Sequence, residues 1–196
     1  MDFIDLRSIF VIAHLLGVAL GAGGAYMSDA IFLYSIRDRK ITSGEIGFMA
    51  LGSKVVWVGV LLLVISGLGL FALSPAEYLA SARFLAKMTI VAIVIANGIV
   101  FHFAHFPFIR RHVGESLVSG HVFYKRSTGL FISGAISGVS WTAALVLGAM
   151  RSIPLNYTTI ILVYLALVAL AICFALLMRS WHGGLANSNL RARHQG

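Results

Sequence analysis

Five apolar runs, each of about 20 residues or more, dominate this chain of 196 residues and dictate the solvent it folds in. They cover about 8–34, 47–73, 82–108, 128–150 and 157–178. About 20 consecutive apolar residues are what a helix needs to cross a bilayer. Such segments cross as helices because hydrocarbon offers no water to a bare backbone N–H or C=O. The chain is 59% hydrophobic and 11% charged, with a mean hydropathy of +0.93. Soluble domains carry about 25% charged residues, so this surface belongs in lipid. The expected fold is an all-α integral membrane protein, a five-transmembrane-helix bundle. A single domain over 1–182 is followed by a polar, flexible cytoplasmic tail over 183–196.

Charge alternates between the two ends of the bundle. Arg37, Arg39 and Lys40 fall after the first run, Arg110, Arg111, Lys125 and Arg126 after the third, and Arg179, Arg191 and Arg193 after the fifth. The other end has Arg7, Arg83 and Arg151. Lys and Arg concentrate in cytoplasmic loops, which places the N-terminus outside and the C-terminus in the cytoplasm. The net charge of +8 is thereby assigned to topology and anionic headgroups, and nucleic acid is not expected as a partner. The single cysteine, Cys173, lies within an apolar run, so no disulfide framework forms within the chain.

Five ionisable residues fall inside the runs: His14, Asp29, Lys54, Lys87 and His102. Charge at bilayer depth is costly, by roughly 2.5 to 3.5 kcal/mol on insertion scales, and therefore faces the bundle interior with a partner or a task. Asp29 lies 12 residues before Ile41, the centre of the first loop, and Lys54 13 after it. They should sit level, which predicts a structural ion pair, with helix capping by Asp29 and snorkelling by Lys54 as the alternative. His14 and Lys87 share a depth toward the other end and are expected to face one another across a pocket, against snorkelling of Lys87 beside Arg83. His102 and His105, three residues apart, share a helix face. With His14 they are the candidate metal ligands, since imidazole suits copper and zinc.

Small residues line two runs. His14, Gly17, Gly21, Gly24 and Ser28 recur at spacings of three and four, as do Gly129, Ser133, Ser137 and Ser140. Such stripes let helices approach closely. They also suit the edge of a flat ligand such as a porphyrin, with His14 on its iron. Trp57 and Trp141 lie too deep for an interfacial belt and pack on such a ligand or fill the core.

His14-Leu15-Leu16-Gly17 with the glycines that follow, and Phe84-Leu85-Ala86-Lys87-Met88 leading to Phe108-Ile109-Arg110-Arg111, resemble small bacterial membrane proteins of the copper-resistance D superfamily. That superfamily includes the haem-associated protoporphyrinogen oxidases of the HemJ type. The resemblance covers the first three runs. It implies a bacterial cytoplasmic membrane protein that binds haem b or a porphyrin between its first and third helices. His14 and Lys87 would be the functional pair that holds the haem, and Lys87 would serve catalysis if the chain is a membrane oxidoreductase; that Gly17, Gly21 and Gly24 lie at the cofactor is the expectation of the small-residue stripe. A porphyrin or quinone is the small-molecule partner expected, beside the lipid bilayer that composition demands and a second copy of the chain. Two other functions stay open: a carrier or channel for copper or protons stepping through Asp29, Lys54, His102 and His105, and an accessory subunit whose buried charges only lock packing.

Overall fold

The computed structural model describes residues 5–38, 42–114, 121–150 and 154–193, and the side chains at 36–38, 121–126 and 182–193 lie outside that description. Most of the residues that orient the chain fall outside it as well: Arg37, Arg39, Lys40, Lys125, Arg126, Arg151, Arg191 and Arg193, together with the side chains of His121, His182 and His194. The described residues hold no strand. Their helices are α1 (Leu6–Asp38), α2 (Ser43–Leu73), a short α3 (Pro75–Leu79), α4 (Ala82–Val100), a π-helical turn (Phe101–His105), α5 (Phe106–Arg111), α6 (His121–Ala149) and α7 (Tyr157–Arg193). Five stretches are long and apolar enough to cross a membrane: Leu6–Ser35, Ser43–Leu73, Ala82–Arg111, Ser127–Ala149 and Tyr157–Trp181. They match the five apolar runs. Two features were not foreseen. The second loop contains α3, and α7 continues through the polar stretch as far as Arg193.

Local chemistry sets several boundaries. Thr42 and Glu45 form a capping box at the start of α2, Thr42 N donating to Glu45 Oε2 at 2.7 Å and Glu45 N to Thr42 Oγ1 at 3.3 Å. Ser81 Oγ accepts from Phe84 N at the start of α4, and Asn156 Oδ1 from Thr159 N at the start of α7. The π turn has its cause in Pro107. A proline lacks an N–H and its ring collides with the carbonyl four residues back, here that of Phe103. Widening the preceding turn, with Phe106 N donating to Phe101 O, accommodates it.

The helices form two groups. α1 packs along most of α2, while α6 stands against α1, α4 and α7. Glycines bring α1 and α2 together: a Cβ at Gly59 would lie 2.7 Å from Gly21 Cα and 2.8 Å from Gly17 O. On the far side Ala86, Ile90, Leu147, Ile160 and Tyr164 join α4, α6 and α7. Hydroxyls within the apolar helices bond back one turn, as Ser28 to Gly24 O and Ser35 to Ile31 O, so they cost little in a dry interior. Others tie helices together: Tyr26 OH to Thr142 Oγ1 at 2.9 Å and Ser140 Oγ to Tyr164 OH at 2.8 Å. The outward faces are apolar, with Phe103 74%, Leu170 67% and Phe174 65% exposed. Water would penalise so much open apolar surface, whereas acyl chains do not.

Candidate functional site

Between the two groups, α1, α2, α4 and α6 leave a cavity of about 830 Å³, its open mouth included. It lies in the half of the bundle nearer the first loop. Phe32, Met49, Phe108, Ile109, Leu130 and Phe131 close it toward that end, with Phe32 and Phe131 meeting edge to face at 5.9 Å. Ala22, Ala25, Val94 and Trp141 close it on the other side. The walls are mostly apolar and aromatic, including Trp57, Phe101 and Trp141. Their polar groups are few: Asp29 and Ser28 from α1, Ser53 from α2, Asn97 from α4, and Ser133 and Ser137 from α6.

Asp29 and Ser137 have no hydrogen-bond partner among the described residues, and each of the other polar groups has one. Asn97 Nδ2 donates to Ser133 O at 3.0 Å, and Ser133 Oγ donates to Asn97 Oδ1 at 2.9 Å, a reciprocal clasp between α4 and α6. Ser53 Oγ makes a long contact, 3.5 Å, with His102 Nδ1. Asp29 has no hydrogen bond and no ion pair among the described residues. No fully enclosed side-chain oxygen or nitrogen is left without a partner among them, so the Asp29 carboxyl opens onto the cavity. Across from it stands Gly134, where a Cβ would lie 3.7 Å from Asp29 Oδ1.

The expected Asp29–Lys54 ion pair is not formed. Depth counting succeeds, since Ser28 Oγ occupies the space beside Gly52. Rotation defeats the pairing: Ser53, Val56, Trp57 and Val60 face the cavity, and Lys54, the residue after Ser53, is exposed on the flank of α2. Gly17, Gly21 and Gly24 are not a free wall for a cofactor either. A Cβ at Gly17 or Gly24 would press on α2, 3.0 Å from Gly59 O or from Val56 Cγ2, and one at Gly21 would strike the Trp141 indole. These glycines serve helix packing, the other use open to such a stripe.

His14 and Lys87 lie outside the residues that line the cavity, toward the opposite end. Both are half-buried, and Lys87 is within electrostatic reach of His14, as Arg83 is of Lys87. Arg83 also donates to the Met150 carbonyl at the end of α6. His14 Nδ1 pairs with Ser66 Oγ at 3.0 Å, and that hydroxyl donates to Leu62 O at 2.5 Å. A serine has one proton to give, so Nδ1 is the donor in this pair, and a neutral ring so held has its lone pair on Nε2. The metal set His14, His102 and His105 is not assembled. His102 is exposed beside Ser53, whereas His105 is half-buried with its ring against Gly129 of α6. The π turn spoils the face that three-residue spacing would give the two. Among the described residues no three His, Cys, Asp or Glu side chains cluster for a metal.

Asn97 and Ser53 escaped sequence reasoning. Asn97 carried a usable signal, because an amide within an apolar run needs a partner just as a charge does. No family model, curated protein or solved structure matches this chain.

Proposed function

We propose that this chain is a multi-pass membrane protein that binds a small, mostly apolar molecule inside the bilayer, in the cavity between α1, α2, α4 and α6. One observation carries the reading: a carboxyl without a protein partner opens into an aromatic-walled space. Ligand sites are concave and mainly apolar, with a few placed polar groups, and an intramembrane ionisable residue marks function by default. The asymmetry of Lys and Arg supports an N-terminus outside and a C-terminus in the cytoplasm. The resemblance of the first three runs supports a bacterial cytoplasmic membrane.

Gly98 supplies the test. It lines the cavity, and a Cβ there meets nothing within 4 Å. Gly98→Leu therefore fills the space, and replacing a mid-helix glycine favours the helix by about 0.8–1 kcal/mol. Native mass spectrometry of the chain released from its membrane should find a bound small molecule on the wild type and none on Gly98→Leu. Wild-type protein that is empty, or a variant equally occupied, refutes the reading.

A second reading has its own support. The Ser66–His14 pair orients an imidazole with Nε2 available, as protein partners commonly orient a metal-bound histidine. His14 is thus the residue that would hold the iron of haem b, although the glycine face does not fit as its wall. Bound there, haem would supply one-electron chemistry, while Ser66 would hold the ring and Lys87 would face a propionate or substrate anion. A Soret band in protein from haem-replete cells, lost in His14→Ala, is the expected sign; its absence removes this reading.

A further inference from the structure

Resting on the cavity reading, we propose that the cavity takes a hydrophobic monocation, an amphipathic amine or an onium ion, with Asp29 as its counter-ion, and that a proton competes with it for Asp29. Three observations converge. Among the described residues Asp29 is the one acidic side chain lining the cavity, and it has no cationic partner there. A carboxylate at this depth has to be neutralised, either by a proton or by a cation. The remaining walls suit a cation better than a neutral guest, because the indoles of Trp57 and Trp141 and the rings of Phe32 and Phe101 line the same space. Aromatic faces attract desolvated cations, indole most strongly. Among the described residues no Lys or Arg lines the cavity, so none of them there repels positive charge.

The charged and titratable groups around Asp29 are few. From α2, Lys54 is exposed away from the cavity. From the π turn, His102 reaches Ser53 and His105 lies against Gly129. The described residues of α4 and α6 that line the cavity include nothing titratable. Occupancy by a cation and by a proton are therefore mutually exclusive at one carboxyl, which couples the ligand to pH.

The test uses radiolabelled tetraphenylphosphonium, a permanent cation that cannot titrate, in equilibrium dialysis with the full chain in detergent at pH 8.5 and pH 5.5. Saturable binding of one ion per chain is expected, weakening by up to about tenfold per pH unit as one competing proton binds. Asp29→Asn should abolish it and Asp29→Glu should keep it, which separates loss of charge from loss of fold. Histidines change charge in this interval, so His102→Gln and His105→Gln should retain the pH dependence; its disappearance in either overturns the assignment of the proton to Asp29. Binding that is indifferent to pH and to Asp29→Asn overturns the cation role. So does absence of saturable binding by protein whose cavity native mass spectrometry finds occupied, and both of these outcomes leave the cavity reading standing. No saturable binding together with an empty wild-type cavity removes both.

Discussion

Gly59→Ala is the perturbation whose size follows most directly from the geometry. The added methyl would lie 2.7 Å from Gly21 Cα and 2.8 Å from Gly17 O, and nearer still to Gly21 N. These are backbone atoms, so no side chain can swing aside and α1 must move off α2. Overpacking of this kind costs about 1–3 kcal/mol, and a backbone obstacle belongs at the upper end. Against it stands the gain of about 0.8–1 kcal/mol for replacing glycine in a helix. The net expectation is a loss of about 2 kcal/mol, roughly thirtyfold in the folding equilibrium. Gly23→Ala is the matched control: a Cβ there meets nothing within 4 Å, and only the helical gain remains. Unfolding by sodium dodecyl sulfate in mixed micelles, followed by tryptophan fluorescence, should separate the two variants by about 3 kcal/mol. Equal stability of Gly59→Ala and Gly23→Ala would refute the backbone-to-backbone seam between α1 and α2.

Further outcomes follow from the same contacts. Gly21→Ala, which drives a methyl into Trp141, should destabilise the bundle, and adding Trp141→Leu should recover much of the loss in the same micelle assay. Asn97→Ala breaks both halves of the clasp with Ser133 and should cost about 1 kcal/mol, within the range for interhelical hydrogen bonds in membranes. Thr42→Ala removes the capping box of α2 and should cost about 1 kcal/mol, with no effect on ligand occupancy read by native mass spectrometry. Pro107→Ala relieves the need for the wide turn, so a cross-link between cysteines placed at Ser53 and His102 in a Cys173→Ala background should weaken as the turn reverts to α.

Which features could be read from the residues follows from how helices encode themselves. Apolar length alone locates the five spans, because a bilayer demands a minimum run and nothing else in the chain meets it. Depth is also legible: counting from the first loop places Asp29 beside the right turn of α2, next to Gly52 and Ser53. Rotation is not. α2 is apolar nearly all round beyond its first turn, so no polar face betrays which side meets α1, and the charge within its apolar run, Lys54, is exposed away from the cavity. The glycines of α1 were ambiguous for a related reason. Small residues admit either a neighbouring helix or a flat ligand, and only the position of Gly59 and Trp141 decides between them. His102 and His105 do not share a face because spacing by three assumes a regular helix, and Pro107 widens the turn that contains them. The cavity itself could not be read, since it arises where two helix pairs diverge, a property of packing between segments far apart in the chain.

The claim that the space around Asp29 is the working site is tested most directly by a crystal structure of the full chain grown from a lipidic mesophase without added ligand. The expected result is a cavity open between α1, α2, α4 and α6, with non-protein density within it against the Asp29 carboxyl. A collapsed cavity, an Asp29–Lys54 ion pair, or a bound group seated at His14 and Lys87 instead would contradict it.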